Sequence, residues 1–257
     1  MNNFDVIIPC HPKDEIILTR VIKSLDCLSN KRSVYIISPS KIDLKISNDK
    51  YTLIYDKDFD HLFTIDQIKT AWNNKFPHFA YRASWIYQQL LKLHAHKIIK
   101  NLSESYLALD ADTIVLNDLH IDTNKFQYCI AKENHAPYKK TYWNLTKKQP
   151  VDFSFIYHHM VFNQSILNEF LEYVELLHAK PFCEALLDSM SYDNQSPFSE
   201  WDSYGNWIYS NHSEICEHRQ LRSSDLHFIP DDNQINELSN YFDLISSHGW
   251  LRGIEAS

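Results

Sequence analysis

The chain has 257 residues, 44% of them hydrophobic, enough to bury a full core, and we expect one α/β domain over 1–257 rather than two small ones. Its formal charge of -8, with no segment dense in Lys and Arg, argues against duplex nucleic acid as a partner. The only glycines are Gly205, Gly249 and Gly253, which rules out a Gly-x-Gly-x-x-Gly dinucleotide loop and a Walker phosphate loop, and with them the usual dehydrogenase and P-loop kinase readings.

No apolar run reaches membrane-spanning length, and Met1–Asp5 lacks the basic and apolar regions of a signal peptide. A cytoplasmic location is therefore expected, with peripheral membrane contact left open. Cys10, Cys27, Cys129, Cys183 and Cys216 are odd in number and widely spaced, so they read as reduced thiols.

In chain order, Phe4–Pro9 predicts a first buried strand stopped by Pro9 and Pro12, and Ile17, Val21, Leu25 and Leu28 then recur at helical spacing. Ser33–Ser38 and Tyr51–Tyr55 are the next strands, giving an open parallel sheet whose ligands gather at the carboxyl ends. Asp56-Lys57-Asp58 and Asp58-Phe59-Asp60 lie just past such an end and read as a solvated loop. A long helix over Ala80–Ile99 follows from Ile86, Leu90 and Leu93. A second stripe on it, Trp85, Gln88, Gln89, Lys92 and His96, is either a ligand face or a lysine stem lying over a Trp.

The stretch Tyr106–Leu116 is a continuous apolar run of strand-forming length interrupted by Asp110 and Asp112. Buried carboxylates without partners would cost several kcal/mol in typical cases, so the pair belongs where the strand ends at a cleft and a cation compensates it. Hard oxygen ligands suit Mg²⁺ or Mn²⁺.

A buried strand ending in Asp-x-Asp inside an α/β chain resembles the metal motif of GT-A glycosyltransferases. The resemblance implies a GT-A-like α/β fold, with a Rossmann-like open mixed sheet flanked by helices, a nucleotide-binding half over 1–118 and an acceptor-binding half over 119–257. It places the ion on Asp112 and puts Asp110 at the ribose or in the metal shell. It also makes Pro9, Cys10, His11 and Asp14, in the loop after the first strand, candidates for holding the nucleotide. Arg82, Gln88 and Lys92 join them from the helix, because Trp85-x-x-Gln88-Gln89-x-x-Lys92-Leu93 is similar to a segment of a poorly characterised GT-A-like family (DUF6492-like).

Beyond the acidic pair, Phe126–Ala131 predicts a strand and Glu133–Gln149 a polar, aromatic-rich loop that would serve as a lid. Asp152–Asn163 predicts another strand, whose His158 and His159 point to opposite faces, so at most one lines a cleft. Ile166, Phe170, Val174 and Leu177 mark a helix. His158-His159-Met160 and Ser199-Glu200-x-x-x-Tyr204-Gly205 are again similar to the same family, which makes His158, His159 and Trp201 candidates for the substrate. Ser199 reads as an N-cap with Asp202 at its third helical position. Inverting GT-A enzymes place their base at such a helix start, so Glu200 and Asp202 are the catalytic candidates, Glu200 ahead. His248, before Gly249, resembles the C-terminal histidine that completes the metal shell.

The function implied is transfer of a sugar from a nucleotide-sugar donor, UDP-sugar favoured, to a glycan or glycoconjugate such as a glycolipid. The alternative is a haloacid-dehalogenase-like phosphohydrolase, with Asp110 as nucleophile and Asp231-Asp232 as a second metal pair. A catalytically silent carbohydrate-binding protein of the same fold is the third reading.

Overall fold

A computed structural model describes residues 3–192, 194–249 and 251–252. Its strands are β1 (Phe4–Pro9), β2 (Lys31–Ser38), β3 (Thr52–Tyr55), β4 (Ser105–Leu109), β5 (Thr113–Val115), β6 (Phe126–Tyr128), β7 (His159–Asn163), β8 (Cys216–His218), β9 (Ser223–Asp225) and β10 (Leu244–Ser246). Its helices are α1 (Glu15–Ser24), α2 (Ile65–Lys75), α3 (Ala83–Ile98), α4 (Ala136–Thr146), α5 (Gln164–His178), α6 (Phe182–Ser189), α7 (Glu200–Asn211) and α8 (Asp232–Leu238).

The main sheet runs β3-β2-β1-β4-β7. Its first four strands are parallel and β7 returns antiparallel to β4. Apolar residues run along Val6–Ile8 of β1 and Tyr106–Leu109 of β4 because both faces of the sheet are covered. On β4, Tyr106 and Ala108 enter the core formed with α2, α3, α5, α6 and α7, while Leu107 and Leu109 enter the one formed with α1, β5 and β10. Ile7 on β1 divides from Val6 and Ile8 in the same way. Each such side chain contributes about 1.5–3 kcal/mol by leaving water.

α3 is nearly enclosed, packing on β1, α2 and α7, so its second stripe faces the interior. A small sheet, β5-β10-β9, continues from the end of β4, with β10 antiparallel to β5 and parallel to β9. β6 and β8 form a separate parallel pair.

Three expectations are corrected. The strand over Phe126–Ala131 ends at Tyr128, and Ala131 makes only an isolated bridge to Ser154. Much of the polar loop expected over Glu133–Gln149 is α4, begun by a proline in its first turn and ended by Lys147 at φ 58°. Its inward positions, Tyr138, Tyr142 and Leu145, do follow helical spacing, but with tyrosines that a hydrophobic pattern underweights. The strand over Asp152–Asn163 is only β7, because His158 takes a left-handed backbone at φ 58° and breaks it.

Gly205 lets α7 lie against the segment before β7, where a Cβ would stand 2.3 Å from the ring of Phe155. All five cysteines are free, and among the described residues no helix is long and apolar enough to cross a membrane.

Candidate active site

The carboxyl end of β4 delivers Asp110, and residues from other strands and helices gather around it. Register does much of the work. Leu109 pairs with His159 across β4 and β7, so the Asp110 N–H donates to the His158 carbonyl at 3.2 Å. The left-handed turn at His158 then sets its imidazole Nδ1 3.5 Å from Asp110 Oδ2.

Past the turn, Thr113 pairs with Ser246 and Ser246 with Asp225, which places Asp112, His248 and Asp225 at neighbouring ends of β5, β10 and β9. The Ser247 N–H donates to the Asp112 carbonyl at 2.9 Å. His248 Nδ1 lies 3.0 Å from Asp112 Oδ2, and its Nε2 lies 3.4 Å from Asp225 Oδ1. The rings of His158 and His248 are 4.7 Å apart. Asp112 Oδ1 is buried with no hydrogen-bond partner among the described residues.

On the other side, α3 presents Gln88, Gln89 and Lys92 from one face. Lys92 is only 2% exposed, and its ammonium bonds both Asp110 Oδ1 and, at 2.7 Å, Glu200 Oε1. It also sits 4.1 Å above the Trp201 ring. Gln89 accepts from the Glu200 N–H at 2.9 Å, and Gln88 donates to the Pro9 carbonyl at 3.3 Å, tying α3 to the end of β1.

The charges follow from these contacts. Burial alone would push the Lys92 ammonium down, but Asp110 and Glu200 outweigh it and hold it above its ordinary value. Burial would raise the Asp110 carboxyl, but Lys92 and His158 hold it well below the usual carboxylate range. Glu200 is pushed up, because its burial exceeds what Lys92 returns. Burial would lower His248, yet Asp112, with Asp110 and Asp225, keeps it above its ordinary value. Nearby, Asp14 is raised by burial and by Asp112, and Arg252 Nη2 approaches it at 4.0 Å.

The sequence-predicted residues divide accordingly. Asp110, Asp112, His158, His248, Lys92 and Glu200 come together, with Gln88 and Pro9 behind them. His11 lies on the loop after β1, its Nδ1 accepting from the Lys13 N–H at 3.3 Å. His159 turns away, its Nδ1 on the Tyr157 carbonyl at 2.8 Å, and burial pushes its imidazole down to about 4. Trp201, a candidate for the substrate, is buried beneath Lys92 and stacked on Phe162.

Arg82 lies over Trp85 and donates to the Gln195 carbonyl and Ser196 hydroxyl, holding the segment before α7. Asp202 accepts from the Phe155 N–H at 3.0 Å, so its carboxylate fastens the loop before β7 while Ser199 caps the helix. Asp231 caps α8 and Asp232 pairs with Arg20, so both carboxylates have structural partners and the second metal pair of the phosphohydrolase reading is not formed here. Asp225 was missed. Nothing in Arg222-Ser223-Ser224-Asp225 marks it, since only strand register brings it beside His248.

No family model matches the sequence, and no curated protein does. Solved structures do. A crystal structure of the galactosyltransferase LgtC in complex with donor and acceptor sugar analogues superposes with a TM-score of 0.51 at 11% identity, over 96% of this chain and 87% of that one. An active-site mutant of LgtC gives 0.52 at 13% identity, over 96% and 88%. At these identities the likeness shows the fold, which is GT-A-like: a mostly parallel sheet flanked by helices, as expected from the sequence.

Proposed function

We propose that the protein is a metal-dependent glycosyltransferase that moves a sugar from a nucleotide-sugar donor, UDP-sugar favoured, to a hydroxyl of a glycan or glycolipid. The observation that carries the proposal is the meeting of Asp110, Asp112 and His248 at the carboxyl edge of the sheet, where open α/β sheets bind their ligands. In this reading the half over 1–118 holds the nucleotide and the half over 119–257 the acceptor.

The residues fit a divalent ion on one specific count. Among the described residues a buried carboxylate oxygen of Asp112 has no hydrogen-bond partner, which costs free energy that an ion would return. Asp110, Asp112 and His248 would hold Mn²⁺ or Mg²⁺, which supplies charge neutralisation for the departing nucleoside diphosphate.

The chain's own side chains do the rest. Lys92 fixes Asp110 and Glu200 in one geometry. Arg252, whose side chain is 11% exposed, adds a cation beside Asp14. Glu200 receives the proton of the acceptor hydroxyl as its oxygen bonds the anomeric carbon and the bond from that carbon to phosphate breaks. Burial, which raises the proton affinity of Glu200, suits that task. Asp202, whose carboxylate accepts from the Phe155 N–H, is the second candidate for that role.

Turnover of UDP-sugars at saturating donor and acceptor tests the assignment. Glu200→Gln is expected to lose about 10²- to 10⁴-fold, the scale of a lost general base, while Asp202→Asn changes stability more than turnover. Near-wild-type turnover in Glu200→Gln would remove the base and favour a retaining reaction. Equal UDP affinity with and without EDTA would remove the metal. An acyl-phosphate mimic trapped on Asp110 by beryllium fluoride would replace the transferase with a phosphohydrolase.

A further inference from the structure

We infer that the ion-binding set extends beyond the Asp-x-Asp pair to His158, Asp225 and His248, a face of two imidazoles and one carboxylate that selects a transition ion over Mg²⁺. The inference rests on the proposed function for what the ion does, but its ligand geometry stands by itself. One ligand atom from each of these three residues lies within 4.8 Å of the others. They arrive from three separate places: the turn before β7, the end of β9, and the segment after β10. No local sequence effect groups them.

Two further observations point the same way. His248 has a carboxylate on each side, with Nδ1 on Asp112 and Nε2 toward Asp225. In metal sites a histidine that gives one ring nitrogen to a carboxylate offers the other to the ion, and the carboxylate fixes the tautomer. Asp112 holds that supporting position here, and its second oxygen is the buried, unpartnered one. The two imidazole rings also lie 4.7 Å apart between centroids, close enough to share a cation.

Donor chemistry then sets the preference. Mg²⁺ favours oxygen ligands and gives up its water reluctantly, whereas imidazole nitrogen suits the later first-row ions, with affinity rising from Mn²⁺ to Co²⁺.

The test uses the whole chain, stripped of metal and titrated with Co²⁺, Mn²⁺ or Mg²⁺ alone. Calorimetry reads the affinity, and the visible spectrum of Co²⁺ reads nitrogen ligation. Co²⁺ is expected to bind about tenfold or more tightly than Mg²⁺. His158→Asn, which keeps a residue tolerant of the left-handed backbone, is expected to lower that ratio about tenfold and shift the Co²⁺ spectrum. Asp225→Asn, at an exposed position, is expected to weaken both ions. Melting temperatures in EDTA confirm that the variants fold.

Unchanged Co²⁺ affinity and spectrum in both variants, with Asp112→Asn abolishing binding, would overturn the inference and leave the proposed function standing. A wild type that binds no ion would overturn it as well. UDP affinity insensitive to EDTA would separately remove the metal from the proposed function.

Discussion

At the amino edge of the sheet, Asp5 of β1 is fully buried, and its carboxylate takes Arg32 Nε at 2.8 Å together with the N–H groups of Ser33 at 3.1 Å and Ser103 at 2.8 Å. At the carboxyl edge, Asp112 meets one imidazole, and among the described residues its other, buried oxygen has no partner. The first carboxylate ties the starts of β1, β2 and β4 together, and every contact it makes is internal. The second has been left with capacity to spare. Among the described residues seven buried side-chain atoms lack a hydrogen-bond partner, and Asp112 Oδ1 is the one carboxylate oxygen among them, which sets this aspartate apart from Asp5.

Lys92 stands between these cases and is where the comparison breaks with the largest effect. Its ammonium is the internal cation for Asp110 and Glu200, so Lys92→Met leaves the buried Glu200 and the part-exposed Asp110 without their shared cation. Removing one partner of a buried ion pair typically costs about 3–5 kcal/mol, and urea unfolding in EDTA is expected to show a loss of that order. The double variant Lys92→Met, Glu200→Gln should recover part of it, because one stranded charge is gone.

The pH dependence follows from Asp110. Its folded carboxyl lies below its unfolded value, so its contribution is present above about pH 4 and is lost as pH falls through the folded value. The gap between wild type and Lys92→Met should therefore narrow in acid. A gap that stays constant down to pH 3 would mean that Lys92 stabilises through packing on Trp201 instead.

Asp5→Ala comes next. It strands the guanidinium of Arg32, whose side chain is 42% exposed and so keeps some hydration, and it orphans two backbone donors. An expected loss of about 2–4 kcal/mol follows from the hydrogen bonds to charged groups and the unpaired donors. Affinity for UDP and for ions, measured on the folded fraction, should not change. A change there would mean that the two edges are coupled through β1.

How much of this was written in the sequence depends on whether a signal is local. β1, β4 and α3 were legible because their apolar patterns match one period over a whole element. Asp110 and Asp112 stood out because they break such a run, and Ser199 because a cap is recognised by its own neighbours. α4 was not legible, since tyrosines and threonines fill its inner face. Nor was Asp225, because its position depends on the pairing of β9 with β10, a contact between two short segments some twenty residues apart, of which β9 is polar. Lys92 was placed in the site, but its burial against Glu200 joins residues 108 positions apart, and no spacing rule reaches that far.

Asp112→Asn is the smallest expected effect on stability and the sharpest statement of the difference between the edges. If Asp112 were a structural carboxylate like Asp5, removing its charge would cost several kcal/mol. Its surroundings predict otherwise. The charge of Asp112 helps to raise Asp14 and Cys10, so neighbours on the loop after β1 already bear its repulsion. Its favourable contact is the bond to His248, and an asparagine side chain retains a hydrogen bond there. The lost attraction to His248 and the relieved repulsion oppose each other. Unfolding free energy in EDTA is therefore expected to stay within about 1 kcal/mol of wild type. With Co²⁺ present the two proteins should part, because wild type binds the ion more tightly and gains more of the stabilisation that comes from an ion binding the folded state, about 2.7 kcal/mol at a hundredfold excess over Kd. A loss in EDTA as large as that of Asp5→Ala would assign Asp112 to the scaffold and leave the carboxyl edge without its ion-binding carboxylate.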